Sequence, residues 1–382
     1  MCLPLILTIK IINIIINMFN KTNKKINILG KTREELYDFF IKIGEEKFRA
    51  EQIMKWIYKR YCDDVSLMTD FSKNLKNKLK NIIKIDHLDI ESENISQDGT
   101  IKWVLKINDQ NIETVYIPEI NRATLCISSQ IGCALNCKFC ATSYQGFNRN
   151  LNSYEIISQI WYAMKIINDR NNFKLKKITN IVMMGMGEPL LNLKNLVPAI
   201  KIILDNYGFG LSKRRITIST AGISPVIKKL GKLIDVKLAI SLHAPNDIIR
   251  NKIMPINKKY NIKSILLSAK KYISTSKANK GKISIEYIML NEINDKTEHA
   301  YQLINCLKNI PCKINLIPWN PFPYVKYKCS NFNKINNFYK ILIKHGITTT
   351  IRKQRGIDIK AACGQLSGNV INRINKRNII NF

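Results

Sequence analysis

Cys133, Cys137 and Cys140 lie in the run Gly132-Cys133-Ala134-Leu135-Asn136-Cys137-Lys138-Phe139-Cys140, a C-x3-C-x2-C spacing. Thiolates are the usual ligands of iron-sulfur clusters, and a cubane has four irons, so three cysteines leave one iron open to a substrate. Zinc is the alternative. Structural zinc usually takes four Cys or His ligands in paired spacings, and no Cys or His follows Cys140 within about twenty residues. Three buried free thiols are the third reading, since free cysteine is commonly buried, though seldom at this spacing in a loop.

Further residues suited to binding lie downstream. In Gly185-Met186-Gly187-Glu188-Pro189 the glycines let a backbone edge approach a ligand, and Glu188 is placed to meet an ammonium. Ser219-Thr220-Ala221-Gly222, Ser241-Leu242-His243 and Pro318-Trp319-Asn320 add polar groups. A lone histidine such as His243 is more often structural than a ligand. Two distant cysteines complete the set. Taken alone, Cys126 reads as a strand thiol and Cys363 as a tail residue, although Arg352, Lys353, Arg355 and Lys360 could lower the pKa of the Cys363 thiol.

The elements that must position these residues show in the hydrophobic pattern. Residues 31–85 repeat apolar positions at three and four, as in Leu36, Phe39, Phe40 and Ile43, which predicts a small helical domain. From Asp89 to Pro118 the pattern alternates, predicting a hairpin. Beyond it, strands at 124–128, 178–184, 215–220, 236–242, 283–289 and 314–319 alternate with helices at 154–169, 193–206, 224–230, 262–274, 296–308 and 334–345. Six βα repeats with right-handed crossovers imply a parallel sheet covered by helices, with its chemistry at the strand C-terminal ends. The candidate residues fall there. Within the first strand, alternation puts Cys126 on one face with Thr124 and Ser128.

At 382 residues and 46% hydrophobic, the chain is long enough for a large domain and a smaller one. Its 61 Lys and Arg against 28 Asp and Glu favour a polyanionic partner, although the Lys-, Ile- and Asn-rich composition also fits an AT-rich genome. Ten cysteines in this length are too sparse for a disulfide scaffold and fit a reducing cytoplasm. The apolar segment 3–16 carries Lys10 and Asn13, lacks a cleavage site and is shorter than the ~20 residues of a membrane span. No membrane association is expected.

The C-x3-C-x2-C loop with an aromatic before its last cysteine resembles the radical S-adenosylmethionine (SAM) signature. Longer blocks, at residues 132–151, 185–192, 241–262, 312–323 and 355–366, make the run from Glu113 to Leu366 similar to the RlmN-type RNA adenine-C2 methyltransferases. The resemblance implies an α/β fold: a partial (β/α)6 radical SAM barrel with a small N-terminal helical domain. The expected layout is a non-native or disordered extension at 1–17 and a helical RNA-binding domain at 18–87. A hairpin connector at 88–118, a core at 119–352 and a tail at 353–382 carrying the methyl-accepting cysteine follow.

By the same resemblance, Cys133, Cys137 and Cys140 hold a [4Fe-4S] cluster, and Gly187, Glu188, Ser219, Ser241, Leu242, His243 and Asn320 contact SAM, two molecules of which are used per turnover. One SAM methylates Cys363; the other yields a 5'-deoxyadenosyl radical that activates the S-methyl group for attack on adenine C2. Cys126 then forms a disulfide with Cys363 to release the base, and Glu113 accepts the proton. The implied substrates are 23S rRNA and tRNA. A cytoplasmic monomer served by flavodoxin or ferredoxin is expected. Residues 324–330 depart from the family pattern. The nearest alternative is a Cfr-type adenine-C8 methyltransferase; one of another class is a zinc-stabilised, non-catalytic RNA-binding protein.

Overall fold

The computed structural model describes residues 25–170, 175–323 and 325–371. The expected extension at 1–17 and the end of the tail lie outside them, as does Tyr324. The chain divides into two compact units, the first formed by described residues up to Leu88 together with 152–165 and 197–211.

In the first unit, β1 (Ile26–Asn27) precedes three helices, α1 (Arg33–Lys42), α2 (Phe48–Lys59) and α3 (Lys73–Ile82), and pairs in parallel with β2 (Ile83–Lys84). Thr32 and Glu35 form a reciprocal capping box at the start of α1, and Ser72 caps α3, each satisfying N–H groups that a helix start leaves free. The apolar positions read from the sequence are the buried ones: Leu36, Phe40, Ile53, Ile57, Leu75 and Leu79. The opposite faces of α2 and α3 are mainly basic, whereas α1 exposes Glu34, Glu35 and Asp38 beside Arg33 and Lys42. Arg60 lies 3.9 Å above the Trp56 ring, and Arg49 lies 4.7 Å from that of exposed Phe48.

The second unit is built on a ten-stranded sheet. Strands β3 (Ile90–Ile95), β4 (Ile101–Ile107) and β5 (Gln110–Pro118) run antiparallel, and β5 pairs with β6 (Ala123–Cys126). The expected hairpin is therefore part of the main sheet. Asn108 makes its turn at φ 54, a conformation that asparagine tolerates. A small hairpin follows, β7 (Gln130–Gly132) with β8 (Phe147–Asn150), enclosing the short helix α4 (Ala141–Tyr144).

From there βα alternation takes over. In chain order come α5 (Ser153–Asp169), β9 (Asn180–Met183), α6 (Leu193–Leu204), β10 (Ile216–Thr220), α7 (Ser224–Leu233) and β11 (Lys237–Ser241). Then follow α8 (Asp247–Ile253), α9 (Ile262–Thr275), β12 (Ile283–Met289), α10 (Thr297–Leu307), β13 (Cys312–Pro318), α11 (Phe332–Lys344) and β14 (Thr349–Ile351). Strand order is β14-β13-β12-β11-β10-β9-β6-β5-β4-β3; the strands from β6 to β14 in this sheet run parallel to one another, β6 is antiparallel to β5 on its other side, and β14 and β3 are open edges. This is the expected partial barrel of the radical SAM fold, with one further parallel strand, β14, that the six repeats did not include. Parallel strands place all their C-terminal ends at one edge. The loops after β6, β9, β10, β11 and β13 carry the candidate residues to that edge.

Candidate active site at the strand ends

The three-cysteine loop is the connection between β7 and β8. Gly132 enters it at φ +74, where a Cβ would stand 2.1 Å from the Gly146 carbonyl oxygen, and the Cys133 N–H closes the neck by donating to that oxygen at 2.7 Å. Only glycine fits this crossing. The Lys138 N–H donates to the Ile253 carbonyl at 2.9 Å, and the Trp319 indole donates to the Phe139 carbonyl at 3.1 Å. Cys133 and Cys137 are buried among Leu135, Phe139, Ala221, Ile253, Met254 and Trp319, while Cys140 is half-buried.

Burial pushes the Cys133 thiol up to about 12 and that of Cys137 well above its usual range, and the sulfurs reinforce this through mutual repulsion. They are electrostatic neighbours. Among the described residues no three Cys, His, Asp or Glu side chains are gathered tightly enough to grip one ion. A cubane takes each thiolate on a different iron, and three soft donors on one short loop fit it.

Glu188 is buried in the loop after β9. Its carboxylate accepts N–H groups from Ala221 at 2.8 Å and Leu190 at 3.1 Å, and among the described residues no cation pairs with it. Burial raises its pKa, with the Ala221 and Leu190 N–H groups opposing. Its charge is felt at Cys133 and Cys137. A buried carboxylate without a counter-ion beside a thiolate loop suits the ammonium of an amino-acid ligand such as SAM. Gly187, at φ +95, would place a Cβ 2.4 Å from the Gln130 side chain, so the loop's approach requires glycine.

The other expected contacts differ in what they have free. Ser219 and Ser241, half-buried on adjacent strands β10 and β11, face each other with their hydroxyl oxygens 3.3 Å apart. Leu242 is fully buried, its N–H donating to the Glu286 carbonyl and its carbonyl accepting from Arg250. His243 stands at φ 60 with Nδ1 accepting the Ile288 N–H at 3.0 Å and its ring edge-on to Phe139; burial, then Arg250, holds its pKa down at about 3, so it is neutral. Asn320 donates to the Cys363 carbonyl at 3.0 Å and accepts from Gln354 at 2.9 Å.

Cys126 ends β6, and the tail brings Cys363 to it. Each thiol bears on the surroundings of Arg352, and the charge of Cys363 raises the Cys126 pKa, which burial has already lifted to about 12. Cys363 is open to solvent by surface area, yet burial is the largest influence on its thiol. The expected low thiol pKa is corrected here: burial raises it, and of the four flanking cations only Arg352 acts to lower it. Arg355 instead pairs with Asp98 at 3.7 Å. Among the described residues every cysteine is a free thiol, so the expected Cys126–Cys363 disulfide is not formed in this structure.

Glu113, on β5, is buried rather than exposed. Its Oε1 lies 2.9 Å from the buried Lys102 ammonium and its Oε2 accepts the Ser367 N–H at 2.7 Å. Sequence reasoning missed Lys102, which alternation on β4 places opposite β5. It also missed Glu286, a buried β12 carboxylate that accepts from Asn315 at 2.7 Å and lies 3.6 Å from Arg352. The segment after Pro323 joins the same wall: the Asn291 N–H donates to the Lys328 carbonyl, and Tyr327 packs edge-on to Trp319.

A parallel half-barrel with a three-cysteine loop and a buried carboxylate at its strand ends defines a radical SAM enzyme. Residues 127–304 match the radical SAM superfamily, and residues 26–85 match the ribosomal RNA large subunit methyltransferase N-terminal domain. A radical SAM methyltransferase from Sphaerobacter thermophilus is 36% identical, covering 89% of this chain and 99% of its own, with a TM-score of 0.82. SuiB of Streptococcus suis bound to S-adenosylmethionine is 14% identical, covering 85% of this chain and 66% of its own, with a TM-score of 0.44. The chain belongs to the RlmN-type radical SAM methyltransferases. That membership replaces the non-catalytic zinc alternative.

Proposed function

We propose that this enzyme methylates C2 of an adenine in 23S rRNA and of the adenine 3' to the anticodon in a subset of tRNAs, with Cys363 carrying the incoming carbon. The observation that carries the reading is the meeting of Cys126, Cys363 and Arg352 at the same edge as the cysteine loop. Adenine C2 is electron-poor and does not attack an electrophilic methyl group itself. When bound, the cluster and SAM supply the methyl carbon and the abstraction of hydrogen from it.

In this reading Cys133, Cys137 and Cys140 hold the cluster, Glu188 takes the SAM ammonium, and Ser219 and Ser241 present hydroxyls to the same ligand. Gly187, Leu242, His243 and Asn320 shape its walls, the last three through groups largely engaged with the protein. Arg352 favours the thiolate of Cys363, the form that accepts a methyl. Cys126 attacks the sulfur of Cys363 to free the product, leaving a disulfide for reduction. Glu113 takes the C2 proton, its pKa raised by burial as a base working near neutral pH requires, with Lys102 pulling it down.

The basic faces of α2 and α3 hold the RNA backbone in this reading. A flavodoxin or ferredoxin supplies electrons to a cytoplasmic monomer. Among the described residues no helix is long and apolar enough to cross a membrane. Mass spectrometry of RNA nucleosides after gene deletion tests the assignment: loss of 2-methyladenosine supports it, and loss of 8-methyladenosine instead assigns the Cfr-type reaction.

A further inference from the structure

Arg250, on α8, is fully buried, and every partner it has is neutral. Nε donates to the Leu242 carbonyl at 2.9 Å, Nη2 to the carbonyls of Ala221 at 2.6 Å and Ser241 at 3.0 Å, and Nη1 to the Asn257 side-chain oxygen at 2.8 Å. Among the described residues no carboxylate forms an ion pair with it. The nearby Asp247 Oδ1 is taken by the Asn257 amide at 2.8 Å and the Ile262 N–H at 2.9 Å. Burial pulls the guanidinium down to about 10, so it remains cationic at neutral pH.

A buried charge is costly unless something of opposite sign lies close. Carbonyl dipoles supply part of that, and the cysteine loop is placed to supply the rest. One turn after Arg250, the Ile253 carbonyl accepts the N–H of Lys138, the residue that follows Cys137. Ala221, whose carbonyl Arg250 holds, packs in the same buried cluster as Cys133, Cys137 and Ile253. Helix α8 thus grips the cysteine loop with its backbone and the ends of β10 and β11 with one side chain.

We propose that Arg250 is a positioning residue for the iron-sulfur cluster, bracing the cysteine loop against the two strand ends and serving as its internal counter-charge. The proposal rests on the cluster reading of Cys133, Cys137 and Cys140. Reduction adds a negative charge to a thiolate-ligated cluster, and a fixed cation beside it stabilises the reduced form, making the cluster easier to reduce.

The test uses the full chain, reconstituted anaerobically with iron and sulfide, as wild type, Arg250→Lys and Arg250→Gln. The electron-paramagnetic signal of the reduced cluster is followed against poised potential. Arg250→Gln is expected to lower the ratio of reduced to oxidised cluster at least tenfold at a fixed potential, a shift of about 59 mV to more negative values for one electron. Arg250→Lys keeps the charge and stays near wild type. Equal potentials in the two variants and the wild type overturn the counter-charge role.

The brace is read without a cluster, from iodoacetamide labelling of the apo-protein resolved by mass spectrometry. Arg250→Lys loses the fork that spans the strand-end carbonyls, so Cys133 and Cys137 should label at least tenfold faster than in the wild type, with the label at half-buried Cys62, on which Arg250 does not bear, as the internal standard. Unchanged labelling overturns the brace, even where Arg250→Gln fails to fold. A wild-type protein that binds no reducible cluster overturns the cluster reading itself, an outcome separate from both.

Discussion

The Glu113 carboxylate accepts the backbone N–H of Ser367 at 2.7 Å, joining β5 to the segment that carries Cys363. Its other oxygen faces Lys102, so the proposed proton acceptor also fastens the tail. Two further bonds continue the attachment, from the Ala141 N–H to the Gly364 carbonyl at 2.8 Å and from the Thr142 hydroxyl to the Leu366 carbonyl at 2.8 Å. In the proposed reaction, acid–base chemistry and the placement of the methyl carrier would therefore share one residue.

Lys102→Met should move the acid limb of the methylation pH profile upward. Burial raises the Glu113 pKa and Lys102 opposes it, so removing the ammonium leaves the carboxyl protonated to higher pH. A rise of one unit, about 1.4 kcal/mol, slows the reaction about tenfold on that limb. The linkage has a definite sign: a carboxyl whose folded pKa exceeds its unfolded value of 4.5 withdraws stability as pH rises from that value through the folded one. Denaturant midpoints of the variant should fall across that window more than those of the wild type, and a superimposable rate profile would show that Lys102 does not set the base.

Cys363→Ala and Cys126→Ala should fail differently. The first has no carrier for the carbon and should leave RNA unmodified while keeping its iron. The second should still attack the base but lack the thiol that releases it, so a denaturing gel should show an RNA-shifted protein band that needs SAM, reductant and Cys363. Normal turnover of Cys126→Ala without such a band would reduce Cys126 to a packing residue.

Gly132→Ala should cost the enzyme its cluster. At φ +74 any side chain is strained by about 1–3 kcal/mol, and this one would meet a backbone carbonyl that cannot swing away. Iron per protein after anaerobic purification should drop to the level of Cys133→Ala, with the circular dichroism of the helices retained. Full iron content would mean the β7–β8 neck can open without loss.

Much of this site was legible in the sequence because its signals are local. The thiol spacing, the glycine turn after β9 and the polar strand ends each sit within a few consecutive residues, and the six expected strands and their helices recur with small shifts at the ends. The expected first strand reaches Ser128, whereas β6 ends at Cys126, where the chain turns toward the cysteine hairpin. β14 has only three residues, too few to show a period. α8 has seven, between the expected strand at 236–242 and the expected helix at 262–274, and belongs to neither. Lys102 and Arg250 were missed for a different reason. A lysine or arginine is ordinarily solvated, and burial of its charge depends on partners distant in sequence that no local pattern reveals.

Binding of an rRNA or tRNA hairpin should weaken steeply with salt. Each lost phosphate contact lowers the log-log slope by about 0.7 to 0.9. Replacing Arg60, Lys73 and Lys80 by Ser should reduce it by about 2 without altering iron content, as measured by fluorescence anisotropy at several salt concentrations. An unchanged slope would mean that RNA does not lie across α2 and α3.

The stitching of residues 364–371 onto the cysteine hairpin and β5 bears on how the enzyme is made. Translation delivers the loop with Cys133, Cys137 and Cys140 long before those residues, and domains fold in the order they emerge. During that interval the hairpin lacks the hydrogen bonds that Gly364 and Leu366 make to it. Once the Gly364 and Leu366 carbonyls engage α4, the same residues close over the loop. If the loop holds the proposed cluster, metallation would have its opening before the segment with the proposed methyl carrier is fastened.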